Sequence, residues 1–287
     1  MPKPFHEYSR REILRFRPAL HWKREFQRRL RVLREASVPD IGRRAKEIAP
    51  VLAGRNVLIT VAFNYPDTIE VQGVLIRRNV GNNPWLIADN SADARASEEI
   101  AALARRYGAF HVKLPAQLWS KRSPGERHGA AMNWMWRNII RPGKPKAFGF
   151  LDHDVYPIKP ADPFAPLDRF PIAGVVTGHL NTAGRWHLWA GFCFFDYAFV
   201  RGRRVDFDYD FDDLLDTGGF NWRPIYRYVD RRAVPDPGLA WEPLTFQGQD
   251  AGEIQRIGES WVHKAGHGYA QGPERATKDA WMWSLVK

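Results

Sequence analysis

The sequence predicts an α/β domain: a three-layer sandwich on a mostly parallel central sheet, preceded by a basic helical N-terminal extension. Three observations carry this. Short β-branched runs alternate with helical stretches from Asn56 to Pro157, and strands joined by crossover helices pair in parallel with helices on both faces. Several runs stop at polar residues, Asn64, Asp89 and Asp152, as strands do where their carboxyl ends line a crevice. The charge is confined. Residues 1–50 hold 14 Lys or Arg against 6 Asp or Glu, a balance of +8 within a net +11, which leaves +3 for the other 237 residues.

Taken in order, the extension covers residues 1–55. From Arg10 to Arg34, Ile13, Leu14, Phe16, Leu20, Trp22, Phe26, Leu30 and Leu33 recur at helical spacing among arginines, with Pro18 punctuating the helix and Pro39 ending it. A basic amphipathic helix suits an anionic membrane surface, a nucleic acid, or a solvated helix packed on the domain. No nucleic-acid motif accompanies it, so no nucleic-acid partner is expected. Residues 56–160 form the first half of the domain. Val57–Phe63 reads as a strand closed by Asn64-Tyr65-Pro66-Asp67, and Thr68–Arg78 as a helix. Trp85–Ala88 is a second strand, Ala92–Tyr107 a helix rich in Ala and Glu, and Phe110–Leu114 a third strand. Glu126–Ile140 is a helix with Met132, Trp136 and Ile139 at core spacing, and the fourth strand leads into Asp152.

Residues 161–287 form the second half, where the rhythm changes. Ile172–His179 and Gly191–Asp196 read as strands and Phe207–Leu215 as an acidic helix, and beyond Tyr226 the pattern weakens, with Pro235, Pro237, Gly238 and Pro243 marking loops. With 44% hydrophobic and 26% charged residues over 287 positions, the chain can bury a sizeable core and is not of the disordered class. Cys193 is the single cysteine, so no intramolecular disulfide forms. No apolar run approaches the ~18 residues of a membrane span; Trp189–Val200 is interrupted by Asp196. The N-terminus lacks the apolar core of a signal peptide, so a cytoplasmic location is expected.

The chemistry concentrates in Phe148-Gly149-Phe150-Leu151-Asp152-His153-Asp154-Val155-Tyr156-Pro157. A buried strand ends in two carboxylates one residue apart. Hard divalent cations such as Mn²⁺ or Mg²⁺ take oxygen ligands, and a diphosphate needs such a cation to offset its charge. Asp-x-Asp at a strand end is also a common turn, so the pair alone does not specify a metal site.

The order of motifs resembles that of family-2 glycosyltransferases, which have the GT-A fold. The resemblance runs from Asn56 to Pro157, with weaker echoes to His263. Thr60-Val61-Ala62-Phe63-Asn64 is similar to the family's first strand end, and Asp89-Asn90-Ser91-Ala92 to its second, with Ser one position early. Gly129-Ala130-Ala131-Met132-Asn133 then precedes the Asp-x-Asp, Asp152-His153-Asp154. The resemblance implies a nucleotide-diphosphate sugar donor, UDP- or GDP-linked, and a saccharide or lipid-linked acceptor. By the same resemblance Ala62, Phe63 and Asn64 line the base and Asp89 accepts a hydrogen bond from it. Asp152 meets the ribose or the metal, Asp154 binds the metal, and Arg127 and His128 add charge near the phosphates. His263 fits the C-terminal metal-binding histidine of many GT-A enzymes, ahead of His267.

Inverting transfer also needs a general base. The candidates are Asp210, Asp212, Asp213 and Asp216, with Asp216 favoured because Gly218 and Gly219 follow it, and Asp213 second. Trp189 and Gly191 are expected on the acceptor side. The His-x-x-Gly echo at His263 also occurs in retaining enzymes, but their following Lys-Pro-Trp is absent here. Two other functions compete. A sugar-nucleotidyltransferase would carry a glycine-rich phosphate loop after the first strand, and Asn64-Tyr65-Pro66-Asp67 is not one. A non-catalytic carbohydrate-binding or membrane-associated protein would keep the aromatic residues without binding metal and nucleotide together. An arm with aromatics among arginines adds the expectation of peripheral attachment at the inner face of the cytoplasmic membrane.

Overall fold

The computed structural model describes residues 5–36, 41–115, 124–178, 184–210, 215–265 and 272–287. It divides into two compact units, Met1–Gly42 and Arg43–Lys287.

The first unit is built from two helices where the sequence suggests one. Helix α1 (Arg10–Leu14) starts at Ser9, whose hydroxyl accepts from the Glu12 amide while Glu12 reaches back to the Ser9 amide, a reciprocal cap. Phe16 adopts φ 51°, a left-handed conformation that interrupts the helical ladder. Helix α2 (Arg17–Ala36) follows. Tyr8 and His21 meet through a 2.6 Å hydrogen bond. On another face of α2, Trp22, Phe26 and Leu33 are 63%, 62% and 67% exposed. No helix among the described residues is long and apolar enough to cross a membrane.

Helix α3 (Ile41–Leu52) leads into the second unit, burying Ile48 and Leu52. The central sheet has six strands in the order β3-β2-β1-β4-β7-β6. Strands β1 (Asn56–Ala62), β2 (Trp85–Asp89), β3 (Phe110–Lys113) and β4 (Ala147–Asp152) are parallel. Two more strands, β6 (Ile172–Thr177) and β7 (His187–Asp196), complete it, with β7 antiparallel to both neighbours. The parallel strands read as continuous apolar runs because both faces are covered. On one face α4 (Pro66–Asn79) and α5 (Ala94–Arg106) pack Ile69, Ile76 and Ile100 with Leu58 and Ile87. On the other, α6 (Pro124–Met135) runs into a π turn, where Trp136 meets Phe148 at a ring separation of 5.5 Å. Short helices α7 (Arg141–Gly143) and α8 (Tyr197–Val200) complete the connections. Gly149 leaves the space that the Phe194 ring fills on the paired strand. The mixed α/β architecture on a mostly parallel sheet agrees with the sequence expectation, as do the basic helices that precede it.

A second, antiparallel sheet has the order β5-β10-β9-β8. It combines β5 (Val155–Pro157) with β8 (Leu239–Phe246), β9 (Gln249–Ile257) and β10 (Trp261–His263). Val71 and Leu75 of α4 pack against Tyr156, Ile254 and Val262 of this sheet and Met282 of helix α9 (Gly272–Ser284). Two expectations are corrected here. Beyond Tyr226, where the sequence pattern weakens, the described residues hold three strands and a helix of more than one turn, and Pro243 lies within β8 and not in a loop. Of the stretch Phe207–Leu215, read from the sequence as a helix, residues 211–214 lie outside the described residues, and the rest is not helical: Asp210 and Leu215 pair in an isolated bridge. The acids themselves divert it, because Asp206 accepts from the Asp208 amide and both carboxylates accept from the Asn133 side chain. Short polar side chains that bond nearby backbone compete with the helix ladder.

Candidate active site

The carboxyl ends of β1, β2 and β4 lie at one edge of the sheet, and their side chains hold the loops there. Asn64, at φ 55°, accepts from the Ala92 and Asp93 amides at 2.9 and 3.0 Å. Its own amide donates to the Ser91 hydroxyl at 2.8 Å, and the Asn90 amide donates to the Ala62 carbonyl. Asp89 is fully buried. It accepts from the Ser91 amide (2.9 Å), the Ser97 hydroxyl, His111 (3.0 Å) and Lys113 (3.3 Å). Burial alone would raise its pKa, but the hydrogen bonds from His111, Ser91 and Ser97 prevail and hold it well below the ordinary carboxylate range. Asp89 is thus an anion that braces the β2 loop. The Arg127 guanidinium lies 5.5 Å from the Phe63 ring centre, which ties the start of α6 to the end of β1.

Asp152 ends β4 and Asp154 lies in the turn that follows, and the second sheet brings a histidine to them. Because β10 pairs antiparallel to β5, His263 lies opposite Val155, and the Lys264 amide donates to the Asp154 carbonyl at 2.9 Å. One potential ligand atom from each of Asp152, Asp154 and His263 lies within 4.8 Å of the other two. His263 Nε2 is 3.2 Å from Asp154 Oδ1, and Nδ1 is 2.6 Å from Gln255 Oε1. Nδ1 donates to Gln255 Oε1, and Nε2 faces the Asp154 carboxylate, donating to it while the imidazole is protonated and offering a lone pair to a cation once that proton is lost. That orientation is the one a metal-binding histidine receives from its supporting shell. Two carboxylates and an imidazole suit Mn²⁺, which tolerates nitrogen, and also Mg²⁺ through the oxygens. Burial pushes the His263 pKa down, yet the charges of Asp154 and Asp152 and the Asp154 hydrogen bond outweigh it and leave the pKa raised.

Residues that the sequence did not mark support this turn. Gln72, fully buried on α4, donates to the Asp152 and Val155 carbonyls at 2.9 and 2.8 Å. It accepts from Thr60, which in turn accepts from the Trp85 indole. A Gln among Ile69, Val71, Leu75 and Ile76 was the available signal, a polar side chain on a core-facing stripe. His128, which the sequence did mark, also reaches this turn, with Nδ1 3.3 Å from Asp152 Oδ1.

Gly191 and Trp189 close the cluster's other side. A Cβ at Gly191 would collide with the Asp152 carboxylate and the Trp189 indole, and the Trp189 ring centre is 4.9 Å from that of His263. The space left by Gly191 therefore holds Asp152 and Trp189. Gly191→Ala is expected to displace the carboxylate and weaken Mn²⁺ binding roughly 10- to 100-fold, as lost supporting contacts do. Titration calorimetry with Mn²⁺ checks this, and unchanged affinity would count against the packing described.

Asp216 is exposed; its Oδ1 accepts from the Thr217 amide at 2.6 Å and the Thr217 hydroxyl at 3.3 Å. Thr217 also donates to the Gly125 carbonyl at the start of α6. Asp212, Asp213 and His267 lie outside the described residues. Several buried polar atoms at this edge have no hydrogen-bond partner among the described residues: Asn90 Oδ1, Arg127 Nε, His128 Nε2 and both ring nitrogens of His187. Burial pushes the His187 pKa down to about 4, with the charge of Asp216 offsetting part of the drop. The unfolded chain, near 6.5, then binds the extra proton between these values. Stability is complete above about pH 6.5 and falls as pH drops toward 4, by on the order of 3 kcal/mol for this group. Urea titrations across that range should show the slope, and His187→Leu should flatten it.

No protein-family model and no curated protein sequence matches the chain. Among solved structures, it is similar to galactosyltransferase LgtC in complex with donor and acceptor sugar analogues, at 13% identity and a TM-score of 0.36, over 49% of this chain and 57% of that one. It is also similar to an active-site mutant of LgtC, at 14% identity and a TM-score of 0.39, over 52% of this chain and 60% of that one. The chain thus spans less than two thirds of the length of either.

Proposed function

We propose that this protein is a metal-dependent glycosyltransferase that moves a sugar from a nucleotide-diphosphate sugar to a hydroxyl acceptor, with inversion. The observation that carries the reading is the convergence of Asp152, Asp154 and His263 at the carboxyl edge of the parallel sheet. Such an edge is the usual binding crevice of open α/β sheets, and unpartnered polar atoms beside the cluster favour a polar ligand. Asp152, Asp154 and His263 would hold Mn²⁺ or Mg²⁺, which supplies Lewis-acid stabilisation of the departing diphosphate. Ala62, Phe63 and Asn64 form the wall for the nucleotide, and Asp89 fixes the adjoining loop. Arg127 adds positive charge at the start of α6, where phosphate oxygens are favoured. Trp189 offers a ring face for a sugar. Asp216, or Asp213 in its place, takes the proton from the acceptor hydroxyl as that oxygen attacks the anomeric carbon.

A thermal-shift panel of UDP-, GDP-, dTDP- and CDP-sugars, each with and without Mn²⁺, tests the reading. Stabilisation by one nucleotide only in the presence of metal is the expected result. Stabilisation by none, or equal stabilisation without metal, contradicts it.

The exposed Trp22, Phe26 and Leu33 of α2, with Lys23, Arg24 and Arg29 exposed on the same helix, support peripheral attachment to an anionic membrane face, where a lipid-linked acceptor would lie. Each basic side chain near such a surface contributes about 1 kcal/mol. Full-length protein should sediment with anionic vesicles and not with neutral ones, less so as salt rises. A chain lacking residues 1–36 should stay in the supernatant. If the full-length chain ignores anionic vesicles at low salt, the arm has another role.

A further inference from the structure

The start of β7 holds a polar group that the proposed reaction has not yet used. Strand β7 runs antiparallel to β4, with Phe192 opposite Leu151, and Gly191 comes next, alongside Asp152. The residues before Gly191 therefore extend past the carboxyl end of β4, over the crevice edge. His187 lies four residues further, roughly 13 Å along the strand. It is 3% exposed, and neither ring nitrogen has a hydrogen-bond partner among the described residues. The Asp216–Gly219 loop packs on the neighbouring residue: a Cβ at Gly218 would stand 3.5 Å from the Leu188 carbonyl. Asp216 lies close enough for its charge to act on the imidazole. Trp186 is held on the Tyr226 and Trp222 rings, at ring separations of 5.2 and 6.2 Å, which fixes the backbone on the other side.

A buried imidazole whose nitrogens meet no protein partner is a liability to the free protein, because no described residue offsets the cost of its burial. It is neutral at physiological pH, since burial opposes protonation, and so offers one donor and one acceptor. A sugar hydroxyl, itself donor and acceptor, complements it. We propose that His187 is an acceptor-binding residue, hydrogen-bonding a hydroxyl of the saccharide acceptor beside Asp216. This rests on the transferase reading above. His187 thus sets which hydroxyl of the acceptor reaches Asp216, a specificity role and not a proton-transfer one.

The test uses the full chain with Mn²⁺ and whichever nucleotide it binds. First, His187→Leu is expected to raise the Tm of the ligand-free protein by roughly 2–5 °C, since it removes two unpartnered polar atoms from the interior. Second, a panel of methyl α- and β-glycosides of glucose, galactose and mannose is followed by saturation-transfer NMR. At least one should bind the wild type, with its affinity lowered 10-fold or more in His187→Leu. His187→Gln, which keeps a donor and an acceptor, should retain most of that binding, and nucleotide affinity should be the same in all three proteins. A lowered Tm in His187→Leu, glycoside binding indifferent to both substitutions, or no glycoside binding at all overturns the proposal. If the wild type fails to bind nucleotide with Mn²⁺, the transferase reading itself falls; with nucleotide binding intact, only the role of His187 does.

Discussion

Replacing Asp154 with Ala is expected to abolish Mn²⁺-dependent nucleotide binding and to leave the fold in place. Asp154 is only 6% exposed, and its Oδ1 sits 3.2 Å from His263 Nε2. Removing it takes away one ligand and the negative charge that faces a second. A cation left with Asp152 and one imidazole would lose half of its charge compensation from carboxylates, and with it the charge that offsets a diphosphate. The fold should survive because β10 is joined to this turn through backbone: the Lys264 amide still finds the residue-154 carbonyl, and His263 still pairs opposite Val155. Gln72 likewise bonds carbonyls of Asp152 and Val155, which the substitution spares. Calorimetry with Mn²⁺ present, alongside circular dichroism, separates the two effects. Unchanged nucleotide affinity would remove Asp154 from the metal site.

Asp216→Asn is the second large effect. Turnover, read as release of nucleotide diphosphate, should fall roughly 10²-fold or more while donor affinity stays nearly constant, since the loss falls on proton transfer. Asn is the informative replacement here. Its Oδ1 can still accept from the Thr217 amide, so the loop geometry is kept and only the basic oxygen is lost. If Asp213→Asn shows this signature and Asp216→Asn does not, the base is Asp213.

The contrast between what the sequence exposed and what it hid follows from the range of the interactions. Strands β1, β2 and β4 were legible because each is an apolar run buried on both faces and stopped by a polar residue. Helix α5 was legible from its Ala- and Glu-rich composition, although its cap, Asp93, lies inside the range Ala92–Tyr107 and not before it. The hairpin of β8 and β9 was not, because β8 buries little more than Leu244 and carries Pro243. Its turn residues Gln247 and Gly248 both take positive φ, at 53° and 77°, a hairpin signal weaker in sequence than Asn-Gly. The acidic stretch at Phe207 misled because its carboxylates bond to Asn133, some seventy residues away, a contact no local pattern records.

The candidate site divides in the same way. Asp152 and Asp154 stood out by themselves, and His263 only through resemblance, because its approach depends on the β5–β10 pairing. Gln72 and His187 went unseen. Each looks like an ordinary polar residue in an apolar run until the partners of one, and the lack of partners of the other, are known.

Whether Asp152, Asp154 and His263 share one cation is read most directly by pulsed electron paramagnetic resonance of the Mn²⁺-loaded protein, since a coordinated imidazole nitrogen modulates the echo. Nitrogen modulation from one histidine is expected, lost in His263→Gln and accompanied by loss of bound Mn²⁺ in Asp154→Ala. Modulation that persists in His263→Gln, or Mn²⁺ bound equally by Asp154→Ala, would place the metal elsewhere and contradict a shared site.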